Sequence, residues 1–187
     1  MGDSFTCAIA HAAADNVVVL DCLFERRAPF DPSSVVADVA GLLRAYAIDR
    51  VVGDRYAAQW VAEAFRLNGI TYEHSEHDRS ALYLECLPVL TSGRVLLLDN
   101  ARMVSQFVNL ERRTGAGRDR VDHPPGAHDD LANAVAGAVA LCACGRAPMR
   151  IDPAALRAIG INVDLPAMRG GSLGYDERWT QSWRHRG

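Results

Sequence analysis

The chain contains no lysine: all 20 of its basic residues are arginine. That absence excludes Schiff-base chemistry and a phosphate-loop lysine, so the chain is not by itself a P-loop ATPase. Cysteine is sparse and unpatterned. The five residues Cys7, Cys22, Cys86, Cys142 and Cys144 are an odd number without framework spacing, and Cys142-Ala143-Cys144 is no C-x-x-C pair. They read as reduced core thiols of a cytosolic protein rather than as a disulfide or zinc framework. Long apolar runs are missing too. The longest, Leu131 to Cys144, falls short of the ~20 residues needed to cross a bilayer, and no signal peptide opens the chain. Charge of one sign does not dominate: the net charge is −3, with 49% hydrophobic and 23% charged residues over 187 residues. These values describe one globular domain, or a domain with a tail, large enough to bury a core.

Periodicity and turn signals divide the chain into short elements. Ser4 to His11 and Asn16 to Glu25 read as two strands of an antiparallel hairpin turning at Ala12 to Asp15. Asp31-Pro32-Ser33-Ser34 is a helix start, after which Val35, Val39, Leu42, Leu43 and Tyr46 share one face. Strands are expected at 49–53, 70–74 and 95–98. Helices are expected at 57–67, 78–90, 101–113 and 129–144, with a Pro/Gly loop at 121–127. Two antiparallel strands followed by alternating helices and strands give an α/β fold, a mixed sheet with helices on both faces. The pattern weakens from Ala147, so the expected division is a domain at 1–145 and a loosely ordered tail at 146–187 that includes Trp179 and Trp183.

Three groups of residues carry chemistry. Asp54 ends the strand Arg50-Val51-Val52-Gly53, at the edge where open α/β sheets place ligands. His128-Asp129-Asp130 follows Pro124-Pro125-Gly126 and opens an apolar Ala/Val helix. One aspartate at a helix start is explained by capping and the helix dipole. A second adjacent carboxylate repels the first, and a divalent cation relieves that repulsion. A strand-end acid with helix-start acids suits an oxygen-rich Mg²⁺ or Mn²⁺ site for phosphodiester chemistry, and His128 is either a loop histidine or one that orients a ligand or a water. Arg102, Arg112, Arg113, Arg118 and Arg120 flank a Gly-containing loop. They are either a solvated face or phosphate contacts for DNA. Asp21, at the expected end of the second strand, is a further candidate acid, and His74, Glu76, His77 and Asp78 are explained by a polar strand-to-helix loop with Asp78 as N-cap.

With these residues in this order, the chain resembles the nuclease domain of the phage terminase large subunit. The resemblance runs from about Ser4 to Cys144, and rests on Val52-Gly53-Asp54-Arg55-Tyr56, Leu82-Tyr83, Ser92-Gly93-Arg94-Val95, Leu110-Glu111-Arg112-Arg113-Thr114 and Asp122 to Ala134. It implies an RNase H-like fold and a nuclease that cuts concatemeric double-stranded DNA during packaging, with two metals held by acids. Asp54 matches the family's second acid and Asp130 its third, with Asp129 beside it. The implied partners are the packaging ATPase domain, the small terminase subunit and the portal, and the implied setting is the bacterial host cytoplasm. The family's first acid lies on a central first strand ahead of a Gly-rich turn. This chain opens Met1-Gly2-Asp3-Ser4-Phe5, which resembles the far side of that turn, so the expected sheet lacks its first central strand and the expected cleavage is weak or absent. The alternatives are a stand-alone RNase H-like nuclease such as a junction resolvase, and a non-catalytic DNA-binding packaging module.

Overall fold

A computed structural model describes residues 4–54, 59–114 and 119–144, all within one compact unit, Met1–Cys144. The expected tail at 146–187, Asp3, Arg55, Tyr56 and Arg118 lie outside the described residues. β1 (Phe5–Ala12) and β2 (Val18–Arg26) form the antiparallel hairpin, joined by a short 3₁₀ turn at Ala14–Asn16. The register slips between Ile9 and Ala10, which face Cys22 and Leu20, so Asp21 is the extra residue of a β-bulge. Asp21 therefore sits inside β2 rather than at its end, and its Oδ2 lies 2.7 Å from His11 Nδ1.

α1 (Pro32–Ala45) starts as its sequence dictates: Pro32 opens it and Asp31 Oδ2 accepts the Ser34 N–H at 2.7 Å. It buries Val35, Val36, Val39, Ala40 and Leu43, while Tyr46 becomes the exposed C-cap. β3 (Arg50–Gly53) and β4 (Thr71–His74) pair in parallel through α2 (Gln59–Leu67). α3 (Arg79–Thr91) is capped by Asp78, whose Oδ1 accepts the Ala81 N–H at 2.9 Å. β5 (Val95–Leu96) adds to β2 in parallel and is shorter than expected.

The next stretch departs from expectation. α4 (Ala101–Val108) stops well before Arg113, and β6 (Glu111–Thr114) pairs antiparallel with β7 (Asp119–Asp122) where a helix end and a loop were expected. Tertiary anchoring overrides local helix propensity there. Ser80 Oγ on α3 both donates to Val121 O and accepts from Val121 N, each at 3.1 Å. Val121 itself is buried against α3 and α5. α5 (Asp130–Cys144) closes the unit, packed mainly on β1 and α3.

Two cores result. One joins Val18, Leu20, Tyr83, Cys86, Met103 and the inner face of α5 (Leu131, Val135, Val139). The other joins Cys7 and Ile9 of β1 to α1, Phe65 and Ile70. β1 is thus covered on both faces, as a central strand is. Yet the sheet order is β1-β2-β5 and, separately, β3-β4, with no described strand between β1 and β3. The architecture is the expected mixed α/β arrangement, built from small sheets with helices packed against them. Burial raises the Cys7 thiol to about 11 and the Cys86 thiol to about 12, and both are free, as core thiols should be.

Candidate functional site

The two halves of the expected acid cluster sit on different supports. Asp54 is exposed just past β3. Its backbone carbonyl accepts from Tyr72 Oη at 3.3 Å and lies 3.4 Å from His74 Nδ1, both from the neighbouring β4. Tyr72 stacks on Phe65 with centroids 5.7 Å apart and meets His74 edge-on at 5.4 Å. Gly53 makes this possible: a Cβ there would come within 2.6 Å of the Tyr72 Cζ. Burial, then the nearby Asp54 charge, pushes the Tyr72 hydroxyl up to about 12, so it stays a neutral donor.

Asp130 opens α5. Its Oδ2 accepts the Ser4 N–H at 3.1 Å, and its carbonyl accepts from Thr6 Oγ1 at 3.0 Å, so the start of β1 and the residue just before it both hold Asp130. Ser4 Oγ in turn donates to Glu25 Oε1 at 3.0 Å, and Arg102 Nε stands 3.2 Å from the same oxygen. Glu25 is therefore a further acid beside the start of α5. Sequence reading passed it over because nothing local distinguishes it from a surface strand-end glutamate.

Asp129 turns the other way. It is 5% exposed, its Oδ1 accepts from Arg79 Nη1 at 3.2 Å, and its Oδ2 accepts from Tyr83 Oη at 2.8 Å. His123 Nε2 lies 3.7 Å from Oδ1. Burial, then the Asp129 charge and hydrogen bond, drives the Tyr83 hydroxyl far above its usual range and keeps it a donor. The capping role anticipated for these aspartates falls to another element: Gln106 Oε1 on α4 accepts the N–H groups of Leu131 at 2.8 Å and Ala132 at 3.0 Å. Arg79, Tyr83 and Gln106 gave no sequence signal of this role, because their partners are 25 to 50 positions away.

The described hairpin arginines, Arg112, Arg113 and Arg120, are each engaged by an acid. Arg112 pairs with Asp119, with Nε 2.9 Å from Oδ2. Arg113 pairs with Glu111 at 2.8 Å, and Arg120 with Asp122 at 2.9 Å. Asp122 is also gripped by Arg79 Nη2 at 2.8 Å. Burial raises the Asp122 carboxyl, but the His123 N–H and the Arg79 and Arg120 charges outweigh it, and it ends below its usual value. These arginine pairs are exposed to solvent, so each is weak and screened by salt.

Among the described residues no three His, Cys, Asp or Glu side chains are grouped to hold a metal. Asp54 and Asp130 have the hard oxygen donors that suit Mg²⁺ or Mn²⁺, whereas the Asp129 carboxylate is spent on Arg79 and Tyr83. His128 lies directly before these acids, half-buried. No described helix is long and apolar enough to cross a membrane.

No family model matches the sequence, and no curated protein matches it. Solved structures do match the fold. The HK97 bacteriophage large terminase aligns with a TM-score of 0.60 at 18% identity, over 74% of this chain and 36% of that one, so this chain spans about a third of that protein. The large terminase nuclease from thermophilic phage G20c aligns with a TM-score of 0.57 at 20% identity, over 76% and 83% of the two chains. The Thermus phage P74-26 large terminase nuclease domain aligns with a TM-score of 0.53 at 20% identity, over 72% and 78%. At such identities the likeness concerns the fold. This chain has the RNase H-like fold of the phage large-terminase nuclease domain.

Proposed function

We propose that the chain is the nuclease part of a phage-type DNA-packaging terminase, cutting double-stranded DNA with the help of Mg²⁺ or Mn²⁺. The observation that carries this reading is the terminase-nuclease fold combined with an exposed acid at a strand end, Asp54, and an acid held at a helix start, Asp130. Both would hold the metal through carboxylate oxygens. A bound divalent ion supplies a more acidic water and charge neutralisation at the scissile phosphate. Asp54 is oriented through its backbone by Tyr72, and Asp130 by Ser4 and by Thr6 of β1, with Ser4 just ahead of that strand. Arg112, Arg113 and Arg120 would exchange their acid partners for backbone phosphates, giving affinity with little sequence reading. The partners in this reading are duplex DNA, the packaging ATPase domain, the small terminase subunit and the portal.

Plasmid cleavage in Mn²⁺ tests it. The expected result is weak nicking by the chain, abolished by Asp54→Ala and by Asp130→Ala. Nicking that survives both substitutions would refute the assigned acids, and a preference for branched DNA would point to a resolvase. Salt-dependent DNA binding without cleavage, unchanged by either substitution, would point to a non-catalytic packaging module.

A further inference from the structure

Leaving Tyr83 and the cysteines aside, the buried polar side chains among the described residues are Gln106 and Asp129, and both converge on the first turn of α5. Placing polar groups in a core is costly unless each is fully partnered. Here each is. Gln106 takes two backbone N–H groups of α5, and Asp129 takes the Arg79 guanidinium and the Tyr83 hydroxyl. Arg79 reaches Asp122 with its other nitrogen, so one side chain ties the end of β7 to the start of α5. Three elements, α3, α4 and β7, thereby fix a single helix start.

We infer that Asp129 is a positioning residue and not a metal ligand: with Arg79, Tyr83 and Gln106 it sets the rotation of α5, and so the direction of Asp130. The inference rests on the nuclease reading for the role of Asp130. Its physical basis is helix geometry. Asp129 immediately precedes α5 and its carbonyl accepts the first helical bond, from the Asn133 N–H at 2.8 Å, so locking its side chain into the core fixes how the helix leaves it, with Asp130 turned toward Ser4, just ahead of β1. Two adjacent carboxylates then avoid competing for one cation, because one is neutralised inside by a guanidinium and the other faces the strand.

Two measurements on the full chain test this. Amide hydrogen exchange at Leu131 and Ala132 should quicken about tenfold or more in both Asp129→Asn and Arg79→Gln, with Arg79→Lys in between. Mn²⁺ affinity of the folded protein, read by electron paramagnetic resonance, should weaken about 10–100-fold in the same two variants. The double variant should be no weaker than either single one, and Asp130→Asn should remove binding. A loss of stability alone would not move that affinity, and Arg79→Lys keeps the test readable if Arg79→Gln fails to fold. The inference is overturned if exchange at α5 stays at the wild-type rate. It is equally overturned if Asp129→Asn removes Mn²⁺ binding as Asp130→Asn does while Arg79→Gln leaves it intact. If the wild-type chain takes up no Mn²⁺ at all, the metal-nuclease reading fails, and the exchange measurement still decides whether the lock exists.

Discussion

Gln106→Met isolates the capping of α5 from its packing. Methionine keeps nearly the volume and flexibility of glutamine but removes the acceptor. In the native protein Gln106 is 6% exposed, and its Oε1 receives the Leu131 and Ala132 N–H groups at 2.8 and 3.0 Å. Leu131 and Ala132 are themselves buried, at 1% and 0% exposure, so water has little access to replace the lost acceptor. A buried donor left without a partner costs about 1–3 kcal/mol, and two are orphaned here, for about 2–6 kcal/mol. Some relaxation of the helix start recovers part of this, so a loss of about 2–4 kcal/mol is expected. For a domain of this size that lowers Tm by roughly 4–16 °C. Urea denaturation followed by circular dichroism gives the free-energy difference directly, with the slope checked for constancy. A change below about 0.5 kcal/mol would match an ordinary surface substitution and refute the capping role.

Two further outcomes follow from the same structure. Gly53→Ala places a Cβ against the Tyr72 ring, which is already stacked on Phe65, and should cost about 1–3 kcal/mol in the same denaturation experiment; a variant as stable as wild type would show that the ring yields freely. The Asp122 carboxyl lies below its unfolded value, so its contribution to stability is present above the unfolded pKa and is lost as pH falls through the folded one. Arg79→Gln removes one cause of that depression, so stability should fall less steeply as pH drops through and below the unfolded value of about 3.8, and an unchanged acid limb would sink the assignment.

Much of the frame was legible because it is local. Asp31-Pro32 and Asp78 announced two helices through capping chemistry that needs only the next three residues, and both caps form as read. The β1–β2 hairpin, the β3 strand ending at Gly53-Asp54 and the apolar helix after Asp129 followed from alternation, turn residues and run length. The β6–β7 hairpin was not legible. Glu111-Arg112-Arg113 carries good helix formers, and what makes them a strand is Ser80 gripping Val121 from 41 positions away. Asp21 likewise reads as a strand end until the register slip shows it inside β2.

The acids divide along the same line. Sequence alone set which residues can do chemistry: arginine without lysine, Asp54 after a glycine, and two aspartates at a helix start. Only the tertiary structure separated those two aspartates. Adjacent carboxylates are equivalent in a string of letters, but at the start of α5 they turn apart, and the Arg79 charge waits on one side while the Ser4 N–H waits on the other. Long-range partners decide what each acid does, because burial and a counter-charge are supplied by elements that only folding brings together.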